Sequence, residues 1–451
     1  MNSLKIGISG VRGVVGETFT PELAVGFAQA FGTYLDSGRI LVCRDARTSG
    51  PMVRAAVVAA LLAAGCEVID LGVCPTPSMQ LAVPRLSADG GISITAGHNP
   101  EPWNALKFVR GDGLYLNAAQ ADELLDIFHQ GEFEKAGWDR IRARVERADA
   151  IENHLSALAA AFDVEAVRSR RLRVAVDCCN SSCALLSPRW LAHLGCEVFA
   201  INDDTAAPFP HAPEPRPRTM GQLRAVVRAG RADVGFAHDA DGERLGVVTD
   251  GGEVLPEEAT LAAAAEIELA RRGGRGATVV TNVSTSGAVD LIAARHGAAV
   301  VRTPVGQAFI SEAMAETGAV VGGEGSGGVV VPRVQLTHDA AAAAGLILEH
   351  VALSGERVSE LAARLPRPAM IKHDIAAEPN RIFSLLQRLH DAVEREGVAY
   401  DQTDGIRVAW PDGWAHVRVS GTESLVRVIA EAGTEARARE LLDWARDRLG
   451  R

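Results

Sequence analysis

The chain has 451 residues, 47% of them apolar, enough to bury several cores rather than one. Its formal charge of −11, from 57 acidic and 46 basic residues, speaks against a nucleic-acid or membrane-surface partner, because both usually require a basic excess. Seven cysteines without metal-ligand spacing, and no run of about 18 uninterrupted apolar residues, predict a reduced, cytoplasmic protein that is neither exported nor anchored.

Along the chain, an apolar strand-like run, an Ala/Leu-rich helix and a glycine opening a second apolar run recur three times. The first unit runs RILVCRDARTSG, VRAAVVAALLAAG, CEVIDLGVCPTP; the second LRVAVDCCN, ALLSPRWLAHLG, CEVFAIND; the third ATVVTNVSTSG, AVDLIAARHG, AAVVRTPVG. Short Val/Ile-rich runs alternating with helices predict mainly parallel sheets covered by helices. From Ile371 onward the order changes to a helix (NRIFSLLQRLHDAVEREG), three strand-like runs (GIRVAW, WAHVRVS, LVRVIAEAG) and a charged helix, as in an α+β domain. Joints are expected near Ala150, at the turn TDGGEV near Asp250, and at RLPRP. The reading is an α/β chain of four domains, 1–150, 151–251, 252–367 and 368–451: three related mixed or parallel α/β domains and a smaller C-terminal α+β domain.

Four polar loops carry candidate chemistry. TAGHNP at 95–100 is a tight exposed turn after the strand-like GISI. HDADGERLG places Asp239, Asp241 and Glu243 at alternate positions, where hard oxygen ligands can converge on one divalent cation; a solvated acidic turn is the alternative. In GGEGSGG, glycines let Glu324 and Ser326 approach a ligand closely, a carboxylate beside a hydroxyl that suits sugar hydroxyls; a flexible hairpin is the alternative. In RVSGTESLVR, Arg418, Ser420, Thr422 and Arg427 surround Gly421, an arrangement fit to cradle a phosphate, or an ordinary turn with scattered arginines.

Together and in this order, along with GISGVRG at 7–13, CRDARTSG at 43–50 and RTPVG at 302–306, the four loops resemble the α-D-phosphohexomutase superfamily over essentially the whole chain. The resemblance implies four domains around a central cleft, Mg²⁺ on Asp239, Asp241 and Glu243, and Arg244 beside the transferring phosphoryl group. It further implies Arg12 and Lys107 at the reaction centre, Lys107 as a candidate general acid or base. His98 would sit in the first loop, Glu324 and Ser326 on sugar hydroxyls, and Arg418, Ser420, Gly421, Thr422 and Arg427 on the distal phosphate. The expected reaction interconverts hexose 6-phosphate and 1-phosphate, glucosamine phosphate foremost, through a hexose 1,6-bisphosphate, in a monomer or homodimer.

Four residues depart from the pattern. Gly97 stands where the resemblance places a phosphoserine, Glu243 replaces an aspartate and Ser424 a proline; Gly328 stands where many relatives have histidine. Glycine has nothing to phosphorylate. Four explanations are open: an introduced substitution, His98 or a neighbour as phosphoryl acceptor, transfer without a covalent intermediate, or a sugar-phosphate-binding protein that has lost catalysis.

Overall fold

A computed structural model describes residues 4–7, 10–147, 149–377, 379–420 and 425–450. Each sequence repeat forms its strand, helix and parallel strand: Arg39–Arg44 with Glu67–Val73, Arg173–Asp177 with Glu197–Ile201, and Thr278–Asn282 with Ala299–Thr303. The glycines that close the helices, Gly65, Gly195 and Gly297, have φ of 85°, 75° and 67°, the left-handed region that only glycine enters without cost.

The first of these pairs lies inside a seven-stranded mixed sheet, and each of the other two belongs to a four-stranded sheet with one antiparallel edge. Its antiparallel half, Gly10–Val14, Trp103–Arg110 and Gly90–Ile94, brings Arg12 and Lys107 beside the loop at 95–100. After Ala369 the chain builds a five-stranded, wholly antiparallel sheet under the helices Pro379–Glu396 and Glu435–Leu449. No helix among the described residues is long and apolar enough to cross a membrane.

Two buried polar strings tie these units together. Ser78 Oγ lies 2.8 Å from His154 Nδ1, and His154 Nε2 lies 2.8 Å from Asp339 Oδ2. This has the composition of a hydrolase triad, yet all three residues are completely buried, so no substrate reaches it. Its role is mechanical, because Asp339 also accepts from Ala342 N to cap the helix Ala340–Ser354.

The second string crosses to the last sheet. His416 Nε2 donates to the Asp404 carbonyl at 2.5 Å, and its Nδ1 lies 3.1 Å from Ser284 Oγ. Burial pushes the imidazole down to about 4. The unfolded chain, titrating near 6.5, therefore binds a proton that the folded one refuses, and stability falls as pH drops from about 6.5 to about 4, by up to about 3 kcal/mol. Urea midpoints at pH 7 and 4.5 check this; in His416→Gln the loss over that window should shrink by a comparable amount.

Candidate active site

The loop at 95–100 is pinned from below. Thr95 Oγ1 accepts from Gly97 N at 2.9 Å and donates to Asp45 Oδ2 at 2.6 Å. Arg47, completely buried, donates to Asp45 through Nε, to the carbonyls of Gly97 and Asn99 through NH2 and to that of Pro100 through NH1, each at 2.7–2.9 Å. Arg12 NH1 reaches Asn99 Oδ1 at 3.0 Å. Gly97 is thus held at φ +53°, and a β-carbon built on it would lie 3.3 Å from both carboxylate oxygens of Asp241. A side chain at position 97 would point at the acidic loop.

That acidic loop joins the antiparallel strands Val234–His238 and Leu245–Thr249. Asp239 Oδ1 accepts from the backbone of Glu243 and Arg244, both at 3.0 Å. Lys107 Nζ bridges Asp241 Oδ2 at 2.6 Å and Glu243 Oε2 at 2.8 Å, and Tyr115 donates its hydroxyl to Glu243 Oε1. Burial and then the neighbouring Asp241 raise the Asp239 carboxyl well above the usual range. Burial also opposes the Asp241 charge, but Lys107 overrides it and keeps that carboxyl low. Lys107 is desolvated too, and Asp241 and Glu243 more than restore its charge.

Asp241 Oδ1 is buried with no hydrogen-bond partner. Two buried carboxylates side by side, one with an orphaned oxygen, are costly unless a cation joins them, and an all-oxygen donor set suits Mg²⁺. Asp239 and Asp241 therefore fit the expected ion. Glu243 is committed to Lys107 and Tyr115, so among the described residues no three acidic, histidine or cysteine side chains form a ready-made metal site. The additional methylene of glutamate carries its carboxylate to those two partners.

Positive charge crowds the other side. Burial and the approach of Arg244 depress the Arg12 guanidinium, while burial and then Arg244, Arg12 and Lys107 hold His98 well below its ordinary value, leaving it a neutral imidazole. Arg244 NH1 is paired with Glu214 at 3.0 Å. Cations that oppose one another's charge in this way form a seat for a polyanion such as phosphate.

The glycine-rich loop is a hairpin between Val321–Gly323 and Val329–Val330. It is locked to the acidic loop by Leu245 N donating to Gly327 O at 3.0 Å and by the Arg244–Gly328 bridge. Glu324 Oε1 accepts from Asn282 Nδ2 at 3.1 Å and Gly306 N at 3.2 Å, and Ser326 Oγ lies 3.4 Å from Glu324 Oε2. At Gly328 a β-carbon would meet His338 Nδ1 at 2.6 Å; the buried imidazole fills the space a side chain at 328 would need. Gln307, its amide oriented to satisfy both neighbours, joins Glu243 Oε1 to His338 N.

In the last sheet, Arg418 and Arg427 sit directly opposite each other on Gly413–Val419 and Leu425–Ala432. Arg418 pairs with Asp404 at 3.0 Å and Arg427 with Asp374 at 2.7 Å. Ser420 is buried at the end of its strand; Gly421 and Thr422 lie outside the described residues. The structure thus brings Gly97, Lys107, Asp239, Asp241 and Glu243 together, with Arg12, His98 and Arg244 next to them by their electrostatic influence. Glu324 joins through the hairpin, and Arg418 is linked to Glu324 through the loop at 305–306.

Arg47, Tyr115, Gln307, His338 and Asp404 went unassigned in the sequence. Only Arg47 left a signal, the Asp-Ala-Arg spacing inside CRDARTSG; the others become visible only when the four units pack.

Four family models match in chain order: phosphoglucomutase/phosphomannomutase alpha/beta/alpha domain I over residues 3–135, domain II over 152–252, domain III over 256–369 and the C-terminal domain over 360–447. The chain belongs to the α-D-phosphohexomutase superfamily. It is a phosphosugar mutase, an intramolecular phosphotransferase of the isomerase class. A phosphoglucomutase/phosphomannomutase of Thermococcus kodakarensis is 37% identical over 97% of this chain and 96% of its own. A protein named "Probable phosphoglucosamine mutase" from Methanopyrus kandleri is 37% identical over the same shares. A crystal structure of a phosphoglucomutase/phosphomannomutase family protein from Burkholderia thailandensis superposes with a TM-score of 0.84, at 27% identity, covering 98% of this chain and 97% of that one. Nothing in these likenesses supports reading the chain as a sugar-phosphate-binding protein without mutase activity.

Proposed function

We propose that the chain interconverts the 6- and 1-phosphates of glucosamine, with the hexose 1,6-bisphosphate itself as the phosphoryl reservoir. The observation that carries this reading is Gly97 held rigidly against Asp241 inside a site whose charged groups are otherwise in place. Phosphoryl transfer asks a protein chiefly for in-line positioning and charge neutralisation, and both survive the loss of a side chain at 97. The phosphoryl group then passes from bisphosphate to incoming monophosphate without stopping on the chain: the donor sugar's O–P bond breaks as the acceptor's forms.

In this reading Arg12 and Arg244 hold the transferring group and neutral His98 lines its seat. Lys107 delivers and recovers a proton at the reacting sugar oxygen. Asp239 and Asp241 would hold a Mg²⁺ ion, which would add to the neutralisation of phosphoryl charge when bound; Glu243, expected from its spacing to be a third ligand, is engaged by Lys107 and Tyr115 instead. Glu324 and Ser326 orient the ring, and the loop at 418–427, with Arg418, Ser420, Gly421, Thr422 and Arg427, grips the distal phosphate. The name of the Methanopyrus kandleri relative favours glucosamine phosphate. Seven free thiols suit the cytoplasm, and a monomer or homodimer is the form proposed.

The test is ³¹P NMR of the unmodified protein with Mg²⁺ and glucosamine 6-phosphate, with and without a trace of the 1,6-bisphosphate, and with glucose and mannose 6-phosphates in parallel. Glucosamine 1-phosphate should appear only when the bisphosphate is present, while the protein's intact mass stays unchanged. Conversion without any bisphosphate, or a protein that gains a phosphoryl group, would overturn the proposal.

A further inference from the structure

From the geometry we infer that Asp404 is a positioning residue, acting through Arg418 and joining phosphate recognition to the sugar-binding loop; this rests on the phosphate-binding reading of Arg418. Asp404 lies in the turn before Ile406–Trp410. Its Oδ2 accepts from Arg418 Nε and NH2, both at 3.0 Å, and from Val305 N, also at 3.0 Å. The next backbone amide, Gly306 N, donates to Glu324 Oε1. Two consecutive amides of one loop are thus held by two carboxylates, one on the residue proposed to read the sugar and one on the partner of the arginine proposed to grip the phosphate.

The turn itself is firmly seated. A β-carbon on Gly405 would meet Val417 O at 2.3 Å, and His416 donates to the Asp404 carbonyl. A carboxylate held by Val305 N, on a turn whose carbonyl is held by His416, confines the guanidinium through its Nε–NH2 edge, leaving the NH1 corner out of that pairing. An arginine held in one orientation loses less side-chain freedom on meeting a phosphate. The same contact fixes the distance between the phosphate grip and Glu324, so the two ends of a hexose phosphate are read by one connected frame.

A binding cycle on the full chain tests this, with glucosamine 6-phosphate as probe in isothermal titration calorimetry. Arg418→Ala should weaken binding roughly 10- to 100-fold, the range for a lost hydrogen bond to a charged group. Asp404→Ala should weaken it by a large part of that factor, and the double variant should bind no worse than Arg418→Ala alone. Asp404→Asn, which keeps an acceptor for Val305 N, should fall between parent and alanine. Arg439→Met, which removes an exposed ion pair to Glu435 on the helix over the same sheet, should leave affinity within about twofold, as expected for a surface pair with no part in the grip.

Parent-like affinity in both Asp404 variants overturns the inference. So does tighter binding, which would make the carboxylate a competitor of the phosphate, and so does a double variant weakened by the product of the single effects, which would make its action independent of Arg418. Parent-like binding by Arg418→Ala would remove the phosphate-loop reading itself, and the inference with it.

Discussion

Replacing Gly97 by serine should raise hexose phosphate interconversion by about 100-fold or more, near 2.7 kcal/mol in activation free energy, and leave a phosphoryl group on the protein. The backbone already aims the new side chain: its β-carbon would stand 3.3 Å from the Asp241 carboxylate, within a hydroxyl's reach of the orphaned oxygen. The cost is the left-handed backbone at φ +53°, about 1–2 kcal/mol for a residue with a β-carbon, and Gly97→Ala measures that cost without the hydroxyl. Initial rates with and without trace bisphosphate, together with intact mass, read the outcome. If a folded Gly97→Ser protein neither speeds up nor gains a phosphoryl group, the absent hydroxyl is not what limits the site, and attention moves to Glu243, whose carboxylate is turned to Lys107 and Tyr115. A Glu243→Asp change in the serine background would then be the next variant.

The fold was legible because its units repeat. An apolar run, an alanine-rich helix and a glycine state a βαβ unit three times, and each glycine sits where the backbone turns left-handed. The four loops could be read because glycine, carboxylate and arginine spacing has local meaning. What the sequence could not show is which charges neutralise which. The i, i+2, i+4 spacing of Asp239, Asp241 and Glu243 suggested three equivalent ligands; packing instead gave Glu243 to Lys107, 136 positions away in sequence. The histidine missing at 328 has a counterpart ten residues on, where His338 occupies the space beside Gly328. Asp404 was unreadable for the same reason, since its partners lie on another strand and in another sheet's loop.

Arg47 carries the second large effect, and it is structural before it is catalytic. Arg47→Met keeps the length of the chain but withdraws the donors that hold Asp45 and the carbonyls of Gly97, Asn99 and Pro100. Burial already pushes the Asp45 carboxyl up even with Arg47 beside it, so the variant strands a buried acid, which costs about 3–5 kcal/mol. It also loses the guanidinium's contact over the Phe209 ring, 5.0 Å from the centroid, which ties the first loop to the neighbouring unit. Urea unfolding should show the loss, and hydrogen exchange at the Gly97 amide should quicken more than that at amides in the last sheet. Asp45→Asn in the Arg47→Met background should recover part of the stability, because the stranded charge is gone, without restoring the loop's slow exchange. An Arg47→Met protein with parent-like stability would mean that the loop is held by its backbone and Thr95 alone. Gly97 would then owe its aim at Asp241 to the turn, and the serine variant would work equally well with or without Arg47.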